Sequence, residues 1–223
     1  MAMATPTIAS EPIQIPIAGG LHLDADLTLV PDANGLVLFA HGSGSSRHSP
    51  RNRYVASKLN SMHMATLLAD LLTPGEESLD ERSGAFRFDI GLLTRRMIQM
   101  IGWARTQEPM HRLRIGLFGA STGAAAALDA AAALPHEVAA VVSRGGRPDL
   151  ATRLREVRAP TLLIVGGNDP AVLQMNRAAL RELQCAKQLE VIPKATHLFE
   201  EPGALEAVAR AAGHWFEKYL HQE

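Results

Sequence analysis

Ser121 lies in the run Gly119-Ala120-Ser121-Thr122-Gly123, between a short apolar segment at 115–118 and an alanine-rich segment with helical spacing at 121–133. A serine between small residues at a strand-to-helix turn fits a nucleophile, because the turn must be sharp and the oxygen must project clear of its neighbours. The N-terminus of a helix also supplies a partial positive field that favours developing negative charge. The plainer alternative is a helix N-cap flanked by turn glycines. A serine hydroxyl attacks poorly unless a positioned base takes its proton, so the nucleophile reading demands a histidine and an acid further along the chain. Asp169 closes Gly166-Gly167-Asn168-Asp169 after the apolar run at 161–165, and His197 follows the run at 189–192. The chain order Ser, Asp, His is the one a strand-turn-helix nucleophile of this type uses. Singly, each residue has a simpler explanation: Asp169 before Pro170 suits a helix cap, and His197 is one of nine histidines. Jointly, each at the carboxyl end of an expected strand, they favour a catalytic triad.

Acyl transfer also needs N–H donors aimed at the oxygen that becomes negative. The amide of Thr122 would supply one, and the amide of Ser43, in Ala40-His41-Gly42-Ser43-Gly44, the other, with the glycines allowing close backbone approach. The His41 side chain is a candidate substrate contact, with a structural role at a strand end as the alternative. Arg47 and Arg144, with Arg51, Arg53 and Arg147 in the same loop flanks, are candidates for holding an anionic substrate group; surface ion pairing and solvation compete with that role. No cysteine pair and no H-E-x-x-H supports a metal, and no G-x-G-x-x-G supports a dinucleotide, so no cofactor is expected.

These residues need a scaffold that brings several strand ends together. Residues 13–17 and 21–30 alternate apolar and polar side chains around Gly19-Gly20, as an antiparallel hairpin does. Nearly continuous apolar runs then recur at 36–40, 65–72, 115–118, 138–142, 161–165 and 189–192, the pattern of strands buried on both faces. Helical spacing fills the intervals at 52–62, 89–106, 121–133, 149–157, 171–183 and 203–220, and the hydrophilic stretch 73–87 reads as one long loop. Right-handed crossovers place helices on both faces of a mostly parallel sheet, with the site at the strands' carboxyl ends. One α/β domain over 1–223 is expected, since no Pro/Gly/Ser-rich linker divides the chain.

Composition narrows the function. Lys and Arg number 22 against 23 Asp and Glu, which argues against a basic nucleic-acid surface, and aromatics at 4% argue against a base-stacking platform. The single Cys185 cannot form an internal disulfide, the first residues lack a charged start with an apolar core, and the apolar runs are too short for a bilayer. A cytoplasmic monomer or homodimer acting on a small molecule, away from membranes, is expected.

The motifs Ala40-His41-Gly42-Ser43-Gly44, Gly119-Ala120-Ser121-Thr122-Gly123, Gly166-Gly167-Asn168-Asp169 and Ala195-Thr196-His197 together resemble a small member of the α/β-hydrolase superfamily, nearest to its dienelactone hydrolase-like branch, over almost the whole chain. Residues 41–53, with Ser143-Arg144-Gly145-Gly146-Arg147-Pro148-Asp149, resemble the subgroup often fused to phosphoribosyltransferase domains, although the chain itself reads as carrying no such partner domain. The resemblance implies an α/β-hydrolase fold and cleavage of small esters or lactones through an acyl-enzyme. Dienelactone hydrolases proper carry a cysteine in the elbow, so their substrate does not carry over to Ser121. The alternatives are an idle scaffold that binds a small molecule or a protein, and thioester cleavage or perhydrolysis on the same triad. Residues 144–160 are too few for a large lid, so the pocket should be shallow, or formed from 73–87, and short acyl groups should be preferred.

Overall fold

The computed structural model describes residues 9–221. β1 (Ser10–Ile17) and β2 (Leu21–Thr28) form the antiparallel hairpin, and β2 pairs antiparallel with β4 (Met64–Ala69). β3 (Gly35–Ala40), β4, β5 (Ile115–Ala120), β6 (Val138–Arg144), β7 (Thr161–Gly166) and β8 (Lys187–Ile192) run parallel, in the spatial order β1-β2-β4-β3-β5-β6-β7-β8. Every residue of β3, β4, β5 and β7 is buried, which is why these segments read as unbroken apolar runs. The edge strand β1 instead alternates, with Pro12 and Pro16 among its residues.

α1 (Pro50–Asn60) and α6 (Ala204–Leu220) cover one face, where Val55, Leu59, Val208 and Phe216 pack with Val37, Phe39 and Phe118. α3 (Ile90–Arg105), α4 (Thr122–Ala133) and α5 (Pro170–Glu182) cover the other, where Leu93, Met97, Leu128 and Ala179 pack with Leu36, Leu38, Leu117 and Leu163. α4 is buried continuously from Thr122 to Ala132. Its alanines lose no side-chain entropy and let the helix lie close to its neighbours, which suits an element that must hold the nucleophile turn against the sheet. Among the described residues, no helix is long and apolar enough to cross a membrane.

Two segments differ from expectation. Residues 73–87 contain a helix, α2 (Pro74–Ser83), opened by a reciprocal cap. Thr73 Oγ1 accepts from the Glu76 N–H at 3.3 Å, and Glu76 Oε2 accepts from the Thr73 N–H at 2.8 Å. Asp80 then accepts from the N–H groups of Phe86 and Arg87 at 2.7 and 3.0 Å, and Arg96 on α3 donates to Glu76 at 2.6 Å, so the segment is pinned to the body. Residues 149–157, expected as a helix, form two 3₁₀ turns, Pro148–Leu150 and Leu154–Glu156. The cause is Asp129 on α4: its carboxylate accepts the N–H groups of Thr152 and Arg153, each at 3.0 Å, and donors spent on a side chain cannot build an α-helical ladder.

Candidate active site

Ser121 sits between β5 and α4 at φ 50, ψ −122, a conformation that costs a non-glycine residue about 1–3 kcal/mol and persists only where neighbours enforce it. They do so through the backbone. The Ser121 N–H donates to Arg144 O at 3.2 Å, while Ser121 O accepts from the N–H groups of Arg147 and Ala124 at 3.0 and 3.1 Å. The flanking glycines are required by space: a Cβ on Gly123 would stand 2.3 Å from Ala40 O, and one on Gly119 2.4 Å from the Ala124 Cα. Gly123→Ala is therefore expected to cost roughly 3 kcal/mol of stability, at the upper end for overpacking because the obstacle is main chain. Urea unfolding measures this, and a loss below about 0.5 kcal/mol would mean that the elbow is not held so tightly.

The acid and base loops are joined in the same way. A Cβ on Gly166 would lie 2.3 Å from Ala195 O, and the Asn168 N–H and Nδ2 donate to Ala195 O and Lys194 O, each at 2.9 Å. This backbone contact delivers Asp169 Oδ2 to within 2.8 Å of His197 Nδ1. The other carboxylate oxygen, Oδ1, accepts from the Val172 N–H at 3.4 Å, so Asp169 also caps α5. Glu201 accepts from the Thr196 hydroxyl at 2.6 Å and from the Thr196 N–H at 3.0 Å, bracing the histidine loop. Those bonds, the hydroxyl foremost, hold the Glu201 carboxyl below the usual range.

His197 is 40% exposed against 15% for Asp169, so the imidazole presents an open edge to solvent. Its ring packs on the chain beside the elbow: a Cβ on Gly145 would stand 3.5 Å from His197 Nδ1, and Gly145 directly follows Arg144, whose carbonyl receives the Ser121 N–H. The hydrogen bond of the ring is to Asp169, and none joins it to Ser121 Oγ; such bonds commonly tighten only when substrate is present.

The two residues expected to form the oxyanion hole meet each other. The Ser43 N–H donates to Thr122 Oγ1 at 2.9 Å, and a Cβ on Gly42 would stand 2.9 Å from the Ser121 Cβ. The loop thus lies against the nucleophile, but the Ser43 donor is engaged by a neighbouring hydroxyl.

His41 and Arg47 have structural partners. His41 Nε2 accepts from the Leu71 N–H at 3.1 Å and Nδ1 lies 3.0 Å from Gly42 O, which satisfies a neutral imidazole with its proton on Nδ1. Burial pushes its pKa below 6.5 against the backbone bond to Gly42 and the charges of Asp70 and Glu77. Arg47 pairs with Asp70, to which its own N–H donates at 2.7 Å, and lies 3.6 Å from Asp26, tying its loop to the hairpin and β4. Arg144 is only 8% exposed, with its guanidinium 6.0 Å from the Phe118 ring on the α1/α6 face.

On the opposite face, a cavity of about 260 Å³ adjoins the Gly42-Ser43 loop and is walled by Asp70, Leu72, Leu93 and, from α2 and its following loop, Glu77, Asp80, Glu81 and Arg87. The last four lie in the segment read as a loop. The signal that could have found them is Thr73-Pro74-Gly75-Glu76, a capping box with proline at the first helical position.

The sequence profile of the Dienelactone hydrolase family matches residues 52–221. A Mycobacterium tuberculosis protein (strain H37Rv) named "Putative phosphoribosyl transferase" is 54% identical over 220 residues, which cover 98% of this chain and 48% of that protein. The chain thus spans about half the length of the curated relatives it matches. The crystal structure of a dienelactone hydrolase from Anabaena variabilis superposes with a TM-score of 0.94 at 53% identity, covering 96% of this chain and 99% of that one. A serine hydrolase without a lid from Xanthomonas campestris, 23% identical with a TM-score of 0.76 and 96% of both chains covered, shares the α/β-hydrolase fold.

Proposed function

Because this chain belongs to the Dienelactone hydrolase family, we propose that it is a serine hydrolase that cleaves small esters or lactones through an acyl-enzyme. The observation that carries the proposal is the 2.8 Å pair between His197 Nδ1 and Asp169 Oδ2, held beside a serine whose backbone is strained to φ 50. In this scheme His197 takes the Ser121 proton as Oγ attacks the carbonyl carbon, and Asp169 fixes the imidazole with Nε2 free and stabilises its charged form. The oxyanion takes the Thr122 N–H, and the Ser43 N–H leaves Thr122 Oγ1 to become the second donor. Collapse breaks the bond to the leaving alcohol, which receives the proton from His197. Water then enters by the reverse use of the same base, giving the free acid and restoring Ser121. The chemistry asks nothing of a cofactor.

The small cavity walled by α2 sets the expected specificity. Each methylene buried in an acyl tunnel would contribute about 0.8 kcal/mol, so a tunnel enzyme gains roughly tenfold in kcat/KM per pair of methylenes. A panel of 4-nitrophenyl acetate, butyrate, hexanoate and octanoate, run beside small lactones, should show turnover without that climb. Absence of turnover across the panel would sink the esterase reading, and a steady climb to octanoate would show that α2 covers an acyl tunnel.

A further inference from the structure

One buried charge, on the residue whose carbonyl accepts the Ser121 N–H, lacks a counter-charge among the described residues. Arg144 is 8% exposed and has no ion-pair partner among the described residues, and its buried Nη1 has no hydrogen bond. Cations are seldom buried without a partner, because desolvation of the charge is left uncompensated. Here the charge that acts on it is of the same sign. Burial and the positive charge of Arg51 together lower the Arg144 pKa to about 10. Arg51 is itself only half satisfied: its Nε is buried without a partner, and its Nη1 reaches no nearer than 3.5 Å to a Glu200 carboxylate that is 66% exposed.

Arg51 also belongs to the first turn of α1, where the helix field favours acidic side chains; that turn contains none. The two guanidinium groups thus act on each other across the carboxyl end of the sheet, beside a first turn of α1 in which the Asn52 N–H is already taken by Ser49 Oγ. The location ties the cluster to the reaction. The carbonyl of Arg144 accepts the Ser121 N–H, the next residue packs against the His197 ring, and Glu200 lies three positions beyond His197.

We propose that Arg51 and Arg144 form a subsite for the phosphate group of a phosphorylated ester substrate, an inference that rests on the hydrolase reading above. A phosphate carries up to two charges and three acceptor oxygens, enough to engage two guanidinium forks together. A carboxylate is the weaker match: Glu200 is already within reach and stays in solvent. The other flank discourages the reverse orientation, because the cavity there is walled by Asp70, Glu77, Asp80 and Glu81 against the single cation Arg87.

The test measures binding apart from turnover. Calorimetric titration of full-length Ser121→Ala with inorganic phosphate should show one site per chain, with acetate binding at least tenfold more weakly. Adding either Arg144→Met or Arg51→Gln should weaken phosphate at least tenfold. Arg144→Met should melt no lower than its parent in phosphate-free buffer, since the change removes an uncompensated charge; a structural arginine would give the opposite sign. In the active enzyme, 4-nitrophenyl 3-phosphonopropionate should exceed 4-nitrophenyl butyrate in kcat/KM at least tenfold, and Arg51→Gln should abolish the difference. The subsite is overturned if phosphate gives no binding heat, if acetate binds equally well, or if phosphate binding survives both arginine changes. Phosphate binding without any preference for the phosphonate ester would place a free-anion site there and overturn the substrate assignment. Failure of every ester with phosphate binding intact would count against the hydrolase reading instead.

Discussion

Ser121→Ala is expected to lower kcat by about 10⁴-fold or more while leaving the fold intact. The effect is large because the substitution removes the attacking oxygen at the strained elbow position. The fold should persist because alanine keeps the small side chain that the elbow tolerates and touches none of the backbone bonds that hold it. Loss of the hydroxyl does not relieve the strain, since φ 50 is as unfavourable for alanine as for serine. A fluorophosphonate should accordingly label the wild type once, at Ser121, and leave Ser121→Ala unlabelled by mass spectrometry. Turnover near wild type in a homogeneous Ser121→Ala sample would end the acyl-enzyme scheme.

Asp169→Asn is expected to cost about 10³- to 10⁴-fold in kcat with little loss of stability. Asparagine caps helices as well as aspartate does, so the bond from the Val172 N–H to the side-chain oxygen survives and α5 starts where it should. The facing position at 2.8 Å from His197 Nδ1 is what changes. An amide turned to cap the helix presents its NH₂ to the imidazole, favours the tautomer with Nδ1 as acceptor, and leaves the proton on the nitrogen that must act as base. The split between intact melting temperature and collapsed kcat is the signature to measure. Asn168 provides the control, because its side chain bonds only Lys194 O and should matter for loop rigidity alone. A crippled Asn168→Ala beside a healthy Asp169→Asn would move the acid to another residue.

The sequence made the sheet and the elbow legible for a physical reason. Strands buried on both faces must be apolar throughout, so 36–40, 115–118 and 161–165 announce themselves, and the structure has β3, β5 and β7 there. The glycines of the elbow and of the acid loop are equally direct, because nothing larger fits against Ala40 O or Ala195 O. What stayed hidden depends on side chains that act on distant backbone. Asp129 looks like one polar residue in an alanine helix, yet it unwinds 149–157 by capturing two N–H groups more than twenty positions away. The segment at 73–87 was hidden by its hydrophilicity: α2 buries only Asp80, so no apolar stripe betrays it, and only its cap could. His41 and Arg47 drew attention by residue type, but their partners Leu71 and Asp70 lie on another strand's end and are invisible until the fold brings them near. Arg144 is the reverse case, a candidate by type whose lack of a counter-charge among the described residues becomes visible only once its surroundings are known.

The prolines of β1 govern how copies of this molecule can meet. An outermost strand offers unpaired N–H and C=O groups to any other edge, and two such edges zip into a continuous intermolecular sheet, a route to aggregation as well as to assembly. Pro12 and Pro16 remove two N–H donors four residues apart, and Ser10, Glu11 and Gln14 fill out the strand with polar side chains. The edge at β8 is guarded by charge instead, with Lys187 and Glu190 among its six residues. With both borders blunted, edge-to-edge growth of the sheet is disfavoured.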